Sequence, residues 1–382
     1  MTRRLLLALG SCAFVGSLAS SAGATGVTDA TGTKTAPLTC ATSRVDSWTT
    51  DALAHEVVVV SLQSTSLVQM RQAAAAGFGG ELILGSVVPA GLVPTLQSLP
   101  SLAPSKLRLN VMADEEGGGV TRLPALVGSW PWAQVMGATM TAPQITAVGA
   151  RLGRAMANAG FTTDLAPVAD VDGRQVYPSA SNPDGYRSFG GSPSAVAADA
   201  TAFAQGLRQS GINATVKHFP GLGGSSGNTD TGAATTLPWA TLQRSALYPF
   251  RVAISAGVPM VMMSNAVVPG LTGQPAGLSR AAVAALRALG FHGLVITDAL
   301  GAGAISARHL TEAQAGVLAL VAGDDELLSQ TPTTAASSLT NASAMVRAID
   351  AAEATGTLTR ATLIAAAAQV VATTNPGVCA AG

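Results

Sequence analysis

The stretch Ala214-Thr215-Val216-Lys217-His218-Phe219-Pro220-Gly221 is a short apolar run that ends in a cationic pair and a turn. Its first three residues favour a buried strand. A lysine next to a histidine is costly to bury unless the strand end opens into a polar pocket. The stretch therefore predicts a strand that presents functional side chains at its carboxyl end.

The same arrangement recurs along the chain: a β-branched or Leu-rich run, a turn rich in Gly, Pro or Asp, and an Ala-rich stretch with helical spacing. Alternating strands and helices are typical of parallel strands joined by right-handed crossovers. Eight such units indicate a single α/β domain, a (β/α)8 barrel, rather than an open sheet. The predicted strands are 57–62, 81–84, 107–112, 163–168, 214–218, 260–263, 294–297 and 325–328, and the predicted helices include 195–209 and 280–289.

The composition is that of a globular protein with a large core. Of 382 residues, 48% are hydrophobic and only 11% are charged, which excludes disorder for most of the chain. The 21 basic side chains balance 21 acidic ones, so nothing in the charge favours a nucleic-acid partner. With four histidines in total, a His-rich metal site is not expected. We predict neither a metal nor a cofactor.

The N-terminus has the features of an export signal. Arg3 and Arg4 precede a Leu-rich run, and the apolar tract ends at Ala22-Gly23-Ala24, so residues 1–24 are predicted to be removed. Alternatively, Leu9-Gly10-Ser11-Cys12 resembles a lipoprotein box, and a lipid on Cys12 would then be the one link to a membrane. Both interpretations predict a secreted or cell-envelope protein. Residues 25–46 are small, polar and patternless, which indicates a flexible leader before a barrel domain at 47–382.

Two cysteines remain after the predicted signal, Cys40 and Cys379, one near each end of the mature chain. Disulfides persist in exported proteins. A closed barrel brings the first and last strands together, so segments outside them can lie close in space. We predict a disulfide between Cys40 and Cys379, and the alternative is two unrelated buried thiols.

Polar residues follow most of the predicted strands. In a barrel, the carboxyl ends of the strands meet at one face, where catalytic residues lie. These candidates are Asp114, Glu115 and Glu116 after the third strand, Asp170, Asp172 and Arg187 after the fourth, Lys217 and His218 at the fifth, Asn265 after the sixth and Asp298 after the seventh.

Each candidate taken singly also has a structural interpretation. Asp114 and Asp298 could each cap the helix that follows. Arg187 could be a surface arginine on a loop. The pair Lys217-His218 is harder to explain structurally, because a buried charged pair needs a polar pocket.

Five segments together carry a resemblance to a known family. They resemble, in order and spacing over about residues 50–330, glycoside hydrolase family 3, most closely its single-domain bacterial β-N-acetylhexosaminidases. The segments are Ala113-Asp114-Glu115-Glu116-Gly117-Gly118 with Arg122-Leu123, Asp164-Leu165-Ala166-Pro167-Val168-Ala169-Asp170-Val171-Asp172, Arg187-Ser188-Phe189-Gly190, Lys217-His218-Phe219-Pro220-Gly221, and Leu278-Ser279 with residues 288–300.

The resemblance implies a retaining glycosidase with a carboxylate nucleophile and a separate acid/base. It implies that Asp298 is the nucleophile, and we expect neighbouring cations to favour its ionised form. It also implies a set of side chains that bind sugar hydroxyls. That set comprises Asp114, Arg187, Lys217 and His218, with Arg122 and Asp172 as secondary candidates.

This sequence departs from the family pattern at the loop that carries the acid/base residue. The hexosaminidases of this family continue with the motif PGHGDTxxDSH, in which a histidine, with an aspartate two residues before it, transfers the proton from a mobile loop. Counting without gaps, Asp230 occupies the position of that histidine, Asn228 that of its aspartate and Leu222 that of another histidine. Asn265 likewise stands where a histidine is common. An aspartate can transfer the proton if a closed loop raises its pKa, or the change can signal lost or altered activity.

Three hypotheses follow. The first is an exported retaining β-glycosidase that removes terminal β-N-acetylglucosamine from glycans such as cell-wall fragments, with β-glucosidase-like activity as its variant. The second is a catalytically weak barrel that binds glycans. The third is a lyase that forms a Schiff base on Lys217.

Overall fold

The computed structural model describes residues 36–330 and 335–379. Eight of its strands form one parallel sheet in the order β10-β1-β2-β3-β6-β7-β8-β9, and β4 and β5 form a separate hairpin. The N–H of Thr297 in β9 donates to the carbonyl of Glu326 beside β10 over 3.0 Å, which closes the sheet into a (β/α)8 barrel. The strands are β1 Val58–Gln63, β2 Gly80–Leu84, β3 Asn110–Ala113, β4 Glu115–Gly117, β5 Val120–Thr121, β6 Thr163–Asp164, β7 Asn213–Phe219, β8 Met260–Met263, β9 Leu294–Thr297 and β10 Leu327–Ser329.

Helices surround the barrel. Among the residues that the structure describes, no helix combines the length and apolar character needed to span a bilayer. The α-helices are α1 Ala36–Val45, α2 Thr50–Glu56, α3 Leu67–Ala76, α4 Leu92–Leu102, α5 Pro124–Val127, α6 Ala133–Thr139, α7 Ala142–Ala159, α8 Pro193–Gln209, α9 Trp239–Arg244, α10 Leu247–Ser255, α11 Arg280–Arg287, α12 Gly303–Ser306, α13 Glu312–Ala322, α14 Ala335–Ala354 and α15 Arg360–Thr374.

All eight predicted barrel strands are present, and the predicted fold is confirmed. Three differ by two residues or more at one end: the third begins at Asn110, the fourth ends at Asp164 and the eighth begins at Leu327. Beyond Asp164 the chain still runs beside β7, because the N–H of Ala169 donates to the carbonyl of Lys217 over 2.7 Å. This continuation delivers Asp170 to the carboxyl end of the barrel.

Apolar side chains fill the barrel interior. They come from alternate strand positions such as Leu82, Met112, Met260 and Ile296, and Val370 of α15 joins the same cluster. Such layers make the barrel a packed core rather than a pore. The polar cavity described below therefore lies at the carboxyl ends of the strands.

Helix α1 corrects the expected leader. Residues 36–45 were predicted to be flexible, yet they form a helix whose Ala41 and Val45 are fully buried and which packs against α15. The expectation was wrong in this range because the partner helix lies at the far end of the chain, where local sequence patterns do not reveal it. The predicted signal, the possible lipid site at Cys12 and residues 25–35 lie outside the described residues.

The predicted disulfide joins the same two ends. Cys40 lies on α1, and Cys379 ends a 3₁₀ turn, Pro376–Cys379, that contacts α1. The side chain of Cys379 lies outside the described part of the structure. The pairing of Cys40 with Cys379 therefore stays a prediction, supported by the proximity of their backbone segments.

Candidate active site

A polar cavity opens at the carboxyl ends of the strands. It brings together, from separate elements, eight of the nine residues predicted for catalysis, substrate binding or the acid/base loop, and Asp172 is the exception. The lining residues are Asp114, Glu116, Val120, Arg122, Leu165, Pro178, Pro183, Arg187, Lys217, His218, Leu222, Asn228, Thr229, Asp230, Met262, Asp298, Ala299, Leu328 and Gln330.

Lys217 is the buried cation of the cavity. Its side chain is 2% exposed, and its Nζ lies 2.8 Å from Oδ1 of Asp114 and 2.7 Å from Oε1 of Glu116. Burial lowers the pKa of Lys217, but the two carboxylates outweigh burial and raise it above its usual value. The amine is therefore protonated and acts as a donor, which argues against a Schiff-base role that needs a neutral amine.

Glu116 links the two principal cations of the site. Besides Lys217, it accepts two hydrogen bonds of 2.8 Å from Nε and Nη2 of Arg187. Burial opposes its ionisation, but Arg187 and Lys217 hold the pKa of Glu116 well below its usual range. Glu116 was a candidate at the end of the third predicted strand, but no separate role was predicted for it. Its position two residues after Asp114 could have indicated that it faces the same cavity, because side chains two residues apart lie on the same face of an extended chain.

Asp114 is an ionised acceptor at the cavity surface. Its other carboxylate oxygen, Oδ2, lies 3.6 Å from Nη2 of Arg122. Burial raises the pKa of Asp114, but Lys217 and Arg122 bring it below its usual value. Asp114 caps no helix in the described chain, since the next helix, α5, has Leu123 at its N-cap.

His218 is oriented by a buried carboxylate. Its Nδ1 lies 2.7 Å from Oδ2 of Asp170, and the same oxygen accepts the backbone N–H of His218 over 3.1 Å. Oδ1 of Asp170 accepts the backbone N–H of Leu222 over 2.6 Å. Burial lowers the pKa of His218, but Asp170 outweighs burial and raises it. Asp170 therefore fixes the ring that lines the cavity.

Asp184 lies beside this pair and was not predicted. It is fully buried, and neither carboxylate oxygen has a hydrogen-bond partner within the described residues. Burial and the charge of Asp170 raise the pKa of Asp184 to about 8. One possible ligand atom each from Asp170, Asp184 and His218 lies within 4.8 Å of the others, which makes this the grouping in the described chain nearest to a metal site. The expected absence of a metal stays a prediction.

Asp298 follows β9 and is half-buried at the cavity. Its Oδ1 accepts the N–H of Ala299 over 2.7 Å, and α12 begins after Ala302, so Asp298 caps no helix. Burial raises the pKa of Asp298, His218 lowers it and Asp230 raises it again, leaving it above its usual value. The neighbouring cations expected to favour the charged form are present, but burial outweighs them.

Asn265 stabilises the segment after Asp298. It is 1% exposed and donates from Nδ2 to the carbonyl of Ala299 over 2.7 Å. It is not among the residues that line the cavity. Leu222, at the other position where a histidine was noted, does line the cavity and packs on Ala234 and Ala266.

The loop that carries Asp230 rests on the chain after Asp298. The carbonyl of Asp230 accepts the N–H of Gly303 over 2.9 Å, and that of Thr229 accepts the N–H of Ala304 over 2.9 Å. Asn228 shapes the loop, because its Oδ1 accepts the N–H of Asp230 over 2.9 Å. Asp230 is exposed and lines the same cavity as Asp298.

Asp172 lies outside the cavity lining, contrary to its expected contact with substrate. Its carboxylate accepts hydrogen bonds from Arg174 and from the N–H of Gly185. These bonds tie together the loop that leads to Arg187. Asp172 thus organises the loop beside the cavity.

Comparison with known proteins agrees with this geometry. Residues 86–373 match the model of the glycosyl hydrolase family 3 N terminal domain. The chain belongs to glycosyl hydrolase family 3. A solved family 3 structure from Mycobacterium smegmatis superposes with a TM-score of 0.75 at 35% identity, over 85% of this chain and 97% of that one.

Other similar family 3 members are named for hexosamine substrates. Beta-hexosaminidase LpqI of Mycobacterium tuberculosis is 42% identical over 215 residues, covering 53% of each chain, so the match spans about half the length of that relative. The structure of a Beta-N-acetylhexosaminidase from Beutenbergia cavernae has a TM-score of 0.75 at 30% identity, over 85% of this chain and 98% of that one.

Proposed function

We propose that this protein is a retaining β-glycosidase that removes terminal β-N-acetylglucosamine from glycans. The observation that carries the proposal is the presence of two carboxyl groups, Asp298 and Asp230, in one cavity with a network of charged hydrogen-bonding groups. The sugar is inferred from relatives named hexosaminidases.

The reaction proceeds in two steps. Asp298 attacks the anomeric carbon as the bond to the leaving oxygen breaks, and Asp230 donates its proton to that oxygen. Asp230, now ionised, then takes a proton from water as the water oxygen attacks the same carbon and releases Asp298. Both groups return to their starting states, and the configuration at the anomeric carbon is retained.

A nucleophilic Asp298 must be ionised, so the causes of its raised pKa matter for this role. Repulsion from the charge of Asp230 contributes to that shift, so a proton on Asp230 would favour the ionised form of Asp298. The first step requires an ionised Asp298 and a protonated Asp230. The nearby imidazole of His218 lowers the pKa of Asp298 electrostatically, which favours placing the negative charge on Asp298.

The remaining lining groups suit a sugar ring. Asp114 accepts and Lys217 and Arg187 donate, and charged hydrogen bonds of this kind hold hydroxyls tightly and in fixed directions. The cavity encloses about 200 Å³, below the ~300–1,000 Å³ of sites that bury drug-sized ligands. A single sugar ring fits this scale, which supports removal of terminal residues.

We also propose export. The charged, apolar and small-residue pattern of residues 1–24 supports it, with lipidation at Cys12 as the alternative. Cell-wall fragments would then be accessible substrates.

A panel of nitrophenyl β-glycosides tests the proposal. We expect turnover of the N-acetylglucosaminide and much weaker turnover of the glucoside, and the reverse order would favour a β-glucosidase. The replacement of the family histidine by Asp230 favours one further candidate, a glycan-binding barrel. That candidate predicts saturable binding of N-acetylglucosamine with no turnover of any substrate.

A further inference from the structure

Three aromatic rings form a cluster on the loops beside the cavity. The ring centroids of Trp132 and Tyr177 lie 5.9 Å apart, those of Trp132 and Tyr186 6.2 Å apart, and those of the two tyrosines 5.1 Å apart. The whole chain has three tyrosines and four tryptophans, so aromatic residues are scarce. Tyr177 is nevertheless 68% exposed. A cluster of aromatic rings with exposed surface, unlike a single exposed ring, indicates a binding role.

The two tyrosines each adjoin a residue that lines the cavity, and Trp132 lies against Gly118, between the lining residues Glu116 and Val120. Tyr177 precedes Pro178 and Tyr186 precedes Arg187, and both following residues are part of the lining. Trp132 lies against the backbone of Gly118, where a Cβ would come within 2.1 Å of the indole. The cluster therefore lies at the rim of the cavity.

The loop that carries the two tyrosines is held in place. The N–H of Tyr186 donates to the carbonyl of Val176 over 3.0 Å. Asp172 accepts the N–H of Gly185, and Gln134 donates to the carbonyl of Arg174 over 3.2 Å. An aromatic surface positioned in this way loses little conformational freedom when a ligand binds.

The polar atoms of the rings are available to a ligand. Across the described chain, no hydrogen bond is made by the hydroxyls of Tyr177 and Tyr186 or by the indole N–H of Trp132. A pyranose ring has an apolar C–H face and a hydroxyl rim. It therefore suits a site that offers both an aromatic face and hydrogen-bonding groups.

We propose that Trp132, Tyr177 and Tyr186 bind the second sugar ring of a β-linked oligosaccharide, on the leaving-group side of the cleaved bond. This inference rests on the proposed function. The cavity would hold the terminal sugar. The loop of Tyr177 contacts the loop of the proposed proton donor, because Asn228 donates to the carbonyls of Ala180 over 2.9 Å and Ser179 over 3.2 Å, so the rings lie towards the leaving-group side. The natural substrate is thus an oligosaccharide rather than a glycoside of a small alcohol.

The test compares two substrates in Tyr177→Ala and Trp132→Ala. One is the β-1,4-linked trisaccharide of N-acetylglucosamine, and the other is β-N-acetylglucosaminyl azide, whose leaving group is too small to reach the aromatic cluster. We expect kcat/KM for the trisaccharide to fall about tenfold, as for loss of a buried aromatic contact, with less than a twofold change for the azide. Tyr177→Phe, which keeps the ring, should retain most of the trisaccharide activity.

Tyr248→Ala is the matched control, because Tyr248 is 47% exposed on α10 and does not line the cavity. It should leave both substrates unaffected. Equal losses on trisaccharide and azide, or no loss on either, would overturn the inference while leaving the proposed function intact. If the wild type turned over neither substrate, the proposed function would fail. The inference would then be judged by calorimetric affinity for the trisaccharide, and an unchanged affinity in Tyr177→Ala would overturn it.

Discussion

The backbone N–H of Gly303 donates to the carbonyl oxygen of Asp230 over 2.9 Å. Gly303 begins α12, directly downstream of Asp298. A Cβ at Gly303 would lie 2.4 Å from the carbonyl carbon of Thr231, closer than packed atoms allow. The absence of a side chain at Gly303 therefore lets the loop with Asp230 rest on the chain that carries Asp298.

This contact predicts the effect of Gly303→Ala. The added methyl group should push the loop away and lower kcat/KM on the order of tenfold or more, since small displacements of catalytic groups cost about 10²-fold. Steady-state kinetics on a nitrophenyl N-acetylglucosaminide measures the loss. Gly232→Ala is the matched control on the same loop, because its Cβ would meet nothing within 4 Å. Equal activity in the two variants would contradict the role given to the contact.

Asp230→Ala should discriminate between leaving groups. Without the proton donor, alkyl β-N-acetylglucosaminides should lose on the order of 10²-fold or more in kcat/KM, while activated nitrophenyl substrates lose less in the first step. Azide should partly restore turnover and yield the β-glycosyl azide. Asp51→Ala, at an exposed acid on α2, serves as control. A uniform loss across leaving groups would show a merely structural Asp230.

Activity should survive prolonged treatment with EDTA. In the described residues, the grouping nearest to a metal site is Asp170, Asp184 and His218, and Nδ1 of His218 already pairs with Asp170. The proposed reaction uses two carboxyl groups, Asp298 and Asp230, and needs no Lewis acid. Loss of turnover that Zn²⁺ or Mg²⁺ restores would contradict this account.

Stability should fall as the pH rises from about 5 to above 8. Burial raises the pKa of Glu56, Glu115, Asp184 and Glu326 to about 8 and that of Asp325 to about 6. These groups stay protonated in the folded protein at pH values where the unfolded chain is ionised. The folded state then binds more protons, so the free energy of unfolding decreases through this range.

Thermal unfolding at pH 5.5 and 8.5 measures this effect, and we expect a midpoint several degrees lower at pH 8.5. Glu326→Gln should make the dependence shallower, because it removes one titrating group while keeping an acceptor for Asn110. Asp46→Asn, at an exposed acid, should leave the dependence unchanged. A midpoint that rises with pH would contradict the prediction.

The barrel could be predicted from sequence because its strands are continuous apolar runs between turn signals. Met260–Met263 and Leu294–Thr297 have the predicted boundaries. Helix α1 could not be predicted, because it packs against α15 and the turn Pro376–Cys379, which lie at the far end of the chain. A local sequence pattern shows the periodicity of apolar residues within one element. It does not show which distant elements pack together once the barrel has closed.

Only some residues of the candidate site could be predicted from the sequence, because only some of them lie directly at strand ends. Residues directly at strand ends, such as Lys217 and Asp298, were found because the barrel geometry assigns their location. The role of Asp184 was missed, since its burial depends on a long loop folding over Asp170. Asp172 was expected at the substrate, whereas its carboxylate accepts the N–H of Gly185 in its own loop. A sequence pattern does not show towards which side a carboxylate turns.

The central claim is that Asp298 forms a covalent glycosyl intermediate. Asp298→Asn should lower kcat on the order of 10³-fold or more while sugar binding stays measurable. The most direct measurement uses 5-fluoro-N-acetylglucosaminyl fluoride, in which the second fluorine slows hydrolysis of the intermediate. Mass spectrometry of the intact protein followed by peptide mapping should show one adduct, on the peptide that contains Asp298. An adduct on Asp230 or Asp114 instead, or continued turnover of nitrophenyl substrate by Asp298→Asn at the wild-type rate, would contradict the account.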